Sequence, residues 1–126
     1  MSDTRIFNSS QFFQPTDVEP IRSVVTESKD AVVVVWYIQP RQTIPAHIHP
    51  HGQDTWTILT GCGEYFLDET GTTQAIAAGD VAIAPVGCIH GVVNNGDEPL
   101  IFISVVSPAD SGYQVISLED SLALHS

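Results

Sequence analysis

"GDVAIAPVGCIHGVVN", residues 79–94, decides how the rest of the chain is read. It contains two short runs rich in Val, Ile and Ala, separated by Pro85 and Gly87, and His90 opens the second. Short β-rich runs bounded by Gly and Pro read as strands joined by turns. His90 is one of five histidines in 126 residues. Three others alternate at 47, 49 and 51 in "HIHPHGQDTWTILTG", residues 47–61, and only His125 lies outside these two stretches. Histidine is the commonest metal ligand and the natural proton carrier near neutral pH, so concentrating so scarce a residue marks a site.

Outward from these stretches the same texture continues. "IRSVVTES", "AVVVVWYIQP", "AHIHP", "DTWTIL", "GEYFLDE", "TQAIA", "DVAIAPV", "HGVVNN", "LIFISVVS" and "YQVIS" are all short, β-rich and closed by Gly, Pro, Asn or Asp. Many short strands at this spacing predict an all-β sandwich or barrel and not alternating βα units. "DETG" and "NNGDEP" carry the turn chemistry of adjacent hairpins. Residues 1–29 read as an arm with an edge strand, its Phe12 and Phe13 packing on the barrel or on a partner. Residues 30–107 form the barrel, and 108–126 a last strand and a short helical turn, with Ser117 capping ahead of Asp120, Leu122 and Leu124. There is no internal repeat and no second domain.

A chain of this length buries about two-thirds of its unfolded surface without a disulfide or metal to hold it. Fifteen acidic residues against four basic ones give a formal charge of −11. Such a surface repels phosphate backbones and anionic lipid, so neither nucleic acid nor a membrane is an expected partner. The start has no basic segment followed by an apolar core, and "AVVVVWYI" is too short to cross a bilayer. A cytoplasmic protein is expected, with Cys62 and Cys88 reduced and packed as small buried hydrophobes.

Side chains alternate along a strand, so His47 and His49 share one face and can meet a single ion. An oxygen ligand then comes from Asp54 or Gln53. If Asp54 points inward, Trp56 and Ile58 follow it and the threonines at 55 and 57 face out; a bulge reverses the choice in favour of Gln53. His51, between Pro50 and Gly52, sits where the strand turns, at the rim or as a second-layer partner.

Together the two clusters resemble the cupin superfamily. Its second motif, G(X)5PXG(X)2H(X)3N, is met by Gly79, Pro85, Gly87, His90 and Asn94; its first, G(X)5HXH(X)3,4E(X)6G, by His47, His49 and Gly61. Arg41 stands where the first motif opens with Gly, and Asp54 where it has Glu. The resemblance spans about residues 30–107. It implies a double-stranded β-helix, or jelly-roll barrel, enclosing one divalent transition metal (Fe, Ni, Zn, Mn or Cu) held by His47, His49, His90 and Asp54, with Gln53 the alternative. Three imidazoles and one oxygen suit such ions and leave coordination positions open.

Trp36, Tyr37, Trp56, Tyr65 and Phe66 lie on strands that could line a pocket for a small-molecule ligand. Cys88, two residues before His90, would share its face. Arg41 near the barrel mouth would be a rare positive group able to grip a carboxylate. Two functions compete: a metal-dependent dioxygenase, lyase or isomerase acting on a small oxygenated molecule, and a binding or sensing module without turnover. The resemblance, the apolar arm and unpaired strand edges favour a homodimer.

Overall fold

The computed structural model describes residues 4–118. Each of the ten runs is a strand: β1 (Ser23–Glu27), β2 (Val32–Ile38), β3 (Thr43–Ile48), β4 (Gln53–Thr60), β5 (Cys62–Phe66), β6 (Thr73–Ala77), β7 (Val81–Ala84), β8 (His90–Val93), β9 (Leu100–Ser107) and β10 (Gln114–Val115). They form two five-stranded sheets, β1-β2-β9-β4-β7 and β10-β3-β8-β5-β6, with every pairing antiparallel. This is the all-β jelly-roll expected. The helical turn expected after Ser117 falls, from residue 119 on, outside the described residues. Among those described, no helix is long and apolar enough to cross a membrane.

Two expectations are corrected. "DETG" does close the β5–β6 hairpin, with Leu67 N donating to Thr72 O at 2.9 Å. "NNGDEP", however, joins β8 to β9, which lie in different sheets. Its Asn94 is fully buried and its side-chain amide donates to Ile38 O and Glu98 O, so the segment is a corner between sheets and not a hairpin. Turn chemistry marks a reversal without naming the strand that pairs beyond it. Cys62 and Cys88, expected to be buried, are both exposed free thiols. Cys88 sits in the tight turn before β8, its N–H donating to Pro85 O at 2.9 Å, which leaves its side chain outside the barrel.

The N-terminal arm lies against the barrel. A 3-10 turn (Ser9–Phe12) is capped by Asn8, whose side chain accepts from Ser10 N. Phe13 packs on Tyr37 with ring centroids 5.5 Å apart. The side-chain amides of Gln39 and Gln42 donate to Thr16 O at 3.0 and 2.8 Å.

The interior is filled unevenly, and that positions the site. Along β2 the inward residues run Val32, Val34, Trp36, Ile38; along β9, Leu100, Phe102, Ser104, Val106. At one end Ile38, Ile58, Leu100 and Phe102 join Ile44, Tyr65, Ile76 and Val92 in a close-packed core. Trp56 stacks on Phe102 with centroids 4.1 Å apart and planes 24° from parallel. At the other end Val32, Val34, Ser104 and Val106 instead line a cavity of about 460 Å³. Trp56 belongs to both the core and the cavity lining.

Candidate metal centre

Asp54, Trp56 and Ile58 are the buried phase of β4, while Gln53 and Thr57 are exposed and Thr55 lies between. Asp54 therefore turns into the barrel. Gln53 stays outside, its side-chain amide donating to Thr55 Oγ1 at 3.4 Å.

The histidines arrive from β3 and β8. His47 and His90 are direct cross-strand partners, with ring centroids 4.1 Å apart. Strict alternation would put Ile44 and His47, three residues apart, on opposite faces. Both line the cavity because the β3–β8 register shifts between them, as a bulge does when it re-aims a side chain beside a site. Gly91 makes room for it: a Cβ there would stand 2.7 Å from Ile44 O and 2.8 Å from Pro45 O. His49 follows the end of β3, with its ring 5.2 Å from that of His90.

One donor atom from each of His47, His49, Asp54 and His90 lies within 4.8 Å of the others. Each imidazole is oriented by a backbone carbonyl on Nδ1: Pro45 O at 2.8 Å for His47, Gly112 O at 2.8 Å for His49 and Cys88 O at 3.0 Å for His90. A carbonyl can only accept, so Nδ1 carries the proton and Nε2 offers its lone pair, the usual arrangement of metal-binding histidine. Asp54 is held in turn, since Ser104 Oγ donates to its Oδ1 at 2.6 Å. Its Oδ2 then faces His90 Nε2 at 3.0 Å and His49 Nε2 at 3.3 Å.

That arrangement calls for positive charge. A neutral imidazole has one N–H, yet in His49 and His90 both nitrogens face oxygen acceptors. Either a second proton on the ring or a cation between Nε2 and Oδ2 satisfies them. Burial pushes the His47 ring down to about 4, with a further push from the neighbouring His90, so it is a neutral donor at pH 7. Burial also resists ionisation of Asp54, but hydrogen bonds from His49, His90 and Ser104 overcome it and hold the carboxyl well below the usual carboxylate range. For His49 burial opposes charge too, but the Asp54 and Gly112 contacts outweigh it and raise the ring above its ordinary value. Three imidazoles whose Nδ1 atoms are already engaged, with one ionised carboxylate beside them, fit a divalent transition metal.

The remaining pocket candidates divide. Trp36 and Trp56 line the cavity. Tyr65 sits below it, edge-on to Trp56 at 5.2 Å. His51 is exposed on the turn, its N–H donating to Ser111 O at 2.8 Å. Cys88 contributes only its carbonyl, to His90. Arg41 is away from the cavity, its guanidinium donating to Gly96 O at 2.8 Å and lying 3.7 Å from Asp97. Its φ of 77° explains why the motif has Gly at that position.

In place of Arg41, Arg22 lines the cavity, with Ser111, Gly112 and Tyr113 from the loop after β9. The Tyr113 ring lies 4.9 Å from His47 and 6.1 Å from His49. Ser104 was legible as the one polar residue in the inward phase of "LIFISVVS". Arg22 and Tyr113 sit beside strand ends and carried no periodic signal.

Comparison with known proteins agrees with the geometry. The family model described as cupin domain matches residues 34–106. The crystal structure of an uncharacterized conserved protein with a double-stranded beta-helix domain, from Klebsiella pneumoniae subsp. pneumoniae, is 48% identical with a TM-score of 0.88, covering 91% of this chain and 99% of that one. A germin-like protein of Oryza sativa subsp. japonica is 27% identical over 116 residues, 86% of this chain and 54% of that protein. An auxin-binding protein of Prunus persica is 29% identical over 80 residues, 61% and 38% respectively. The chain thus spans about half or less of these two curated relatives.

Proposed function

The chain belongs to the cupin family, and from that premise we propose that it is a metal-dependent enzyme, a dioxygenase or a related lyase or isomerase, acting on a small oxygenated organic molecule. The observation that carries this reading is the convergence of His47, His49, Asp54 and His90 on one point in the wall of a 460 Å³ cavity. Bound there, a divalent Fe, Ni, Zn, Mn or Cu ion would supply Lewis acidity toward substrate oxygens or a centre for O₂ chemistry. The three backbone carbonyls and Ser104 fix the donors before any ion arrives, which lowers the reorganisation cost of binding it. Val32, Val34, Ile44 and Val106 exclude water from the substrate, and Tyr113 leans over the histidines from the rim.

A non-catalytic binding module is the second reading, favoured by the likeness to a protein named for binding auxin. Protein purified without a metal-affinity tag should carry close to one transition metal per chain by elemental analysis. Oxygen-electrode and product assays with Fe(II) across diketones, flavonols and small aromatic acids then separate the readings: turnover supports the enzyme, saturable binding without turnover the module. Protein that refuses metal under all loading conditions overturns both metal-dependent versions.

Two exposed, unpaired cysteines support a reducing, cytoplasmic setting. A homodimer is supported by β7, a sheet-edge strand whose Val81 and Ile83 are more than half exposed. Light scattering that finds only monomer at micromolar concentration would overturn the dimer.

A further inference from the structure

We propose that Arg22 sets the specificity of the cavity by receiving the carboxylate of an organic acid, whose other end carries oxygen donors to the His47–His49–Asp54–His90 cluster. This rests on the metal-centre reading above and names the class of ligand for it.

Among the described residues the cavity lining contains one guanidinium, Arg22, and one carboxylate, Asp54. Asp54 is engaged on both oxygens, by Ser104 on Oδ1 and by the two histidines on Oδ2, so its charge is committed to the cluster. Among the described residues Arg22 has no carboxylate partner, although the chain holds fifteen acidic residues. Arg41, by contrast, has Asp97 and Gly96 O to itself and lies off the cavity. Asp54 being committed to the cluster, Arg22 leaves an uncompensated positive group in the lining of a cavity inside a chain of formal charge −11. A concave positive site on an acidic molecule selects anions that can enter it and leaves outer surfaces to repel them.

The position of Arg22 is fixed. It immediately precedes Ser23, which is buried, pairs with Val35 of β2 and accepts a hydrogen bond from Gln14 Nε2 at 3.0 Å. The Arg22 side chain is itself exposed, at the rim, where its planar fork can meet a carboxylate bidentately as a ligand enters. Val32, Val34, Trp36 and Val106 line the same cavity and suit a hydrocarbon spacer. The ligand is therefore polar at both ends and apolar between.

Protein loaded with Zn²⁺ is titrated calorimetrically with the monohydroxamates of succinic, glutaric, adipic and suberic acids and with their methyl esters. The hydroxamate chelates the ion, the spacer varies in length, and the ester removes only the distal charge. For at least one length the acid should bind about three- to tenfold tighter than its ester, as expected of an ion pair at a half-open rim. Arg22→Gln should bring that ratio to one while leaving ester affinity unchanged, and Arg41→Gln should preserve the preference. Equal binding of acid and ester at every length, or a preference that survives Arg22→Gln, overturns the proposal. Zinc content is measured on the same samples. Bound zinc without preference for the acid sinks this inference alone, whereas protein that takes up neither zinc nor Fe(II), Ni(II), Mn(II) or Cu(II) sinks the metal reading and this inference with it.

Discussion

Asp54 bears a negative charge where a carboxylate alone would be costly, and three neighbours, His49, His90 and Ser104, make it tolerable. Ser104 is the one whose role is separable, because it touches no other member of the cluster in the hydrogen bonds described. Ser104→Ala should lower metal affinity about 10- to 100-fold by freeing the carboxylate to rotate, as loss of a supporting partner commonly does. The folded variant should also lose about 1–3 kcal/mol of stability from the buried oxygen left unpaired. Metal titration and urea unfolding read the two effects separately. His47 sets an acid limit on the metal-free protein. Its folded value is about 4, against about 6.5 for an unfolded histidine, so between those pH values the unfolded chain binds more protons and stability falls as pH falls. His49, raised in the fold, works the other way: its contribution is present below the unfolded value and is lost as pH rises through the folded one. Urea unfolding at pH 4.5, 5.5 and 6.5 should therefore show stability changing less favourably toward acid in the parent protein than in His47→Gln, the two curves differing by the His47 contribution. Identical slopes would contradict the burial account of that ring.

The β3–β8 pair carries the most consequential irregularity of the fold. The bulge between Ile44 and His47 brings both into the cavity, and its Pro45 carbonyl orients the His47 ring. Gly91→Ala would drive a methyl into two backbone oxygens and the Phe66 ring. A loss of about 1–3 kcal/mol is expected, the range for overpacking. Metal affinity should drop with it, while Gly71→Ala, where a Cβ meets nothing, should show strain from its φ of 90° without any effect on metal. Ten strands were legible because period-two runs and Gly/Pro punctuation are local properties, and the inward turn of Asp54 follows from the same period through Trp56 and Ile58. The bulge was not legible at its position, since it depends on the partner strand. The sheet-to-sheet corner at Asn94 was hidden for a related reason: its turn residues look the same whether the next strand returns beside the last or crosses the barrel. The place of Arg41 off the cavity, against Gly96 O and Asp97, carries no periodic signal in the sequence.

At the scale of the molecule, one end of the barrel is filled with Ile38, Ile58, Leu100 and Phe102 and the other is left open around the cluster. The filled end makes the protein stable without an ion, and the open end can then hold donors in an arrangement that is unfavourable until positive charge arrives. A ligand that binds only the folded state stabilises it by mass action, so metal-free protein given Zn²⁺ at about one hundred times its dissociation constant should gain about 2.7 kcal/mol by urea unfolding. His90→Ala should remain folded and lose that gain. The cavity floor and the three histidines were legible from strand phase and from the two motifs. Arg22 and Tyr113 were not, because residues flanking strand ends are placed by the closure of the whole barrel. The most direct test is an anomalous-difference map from crystals of the metal-loaded protein. One peak within bonding distance of the Nε2 atoms of His47, His49 and His90 and of an Asp54 oxygen is expected. A map with no peak there, or with its strongest peak on the outer surface, would contradict the central claim.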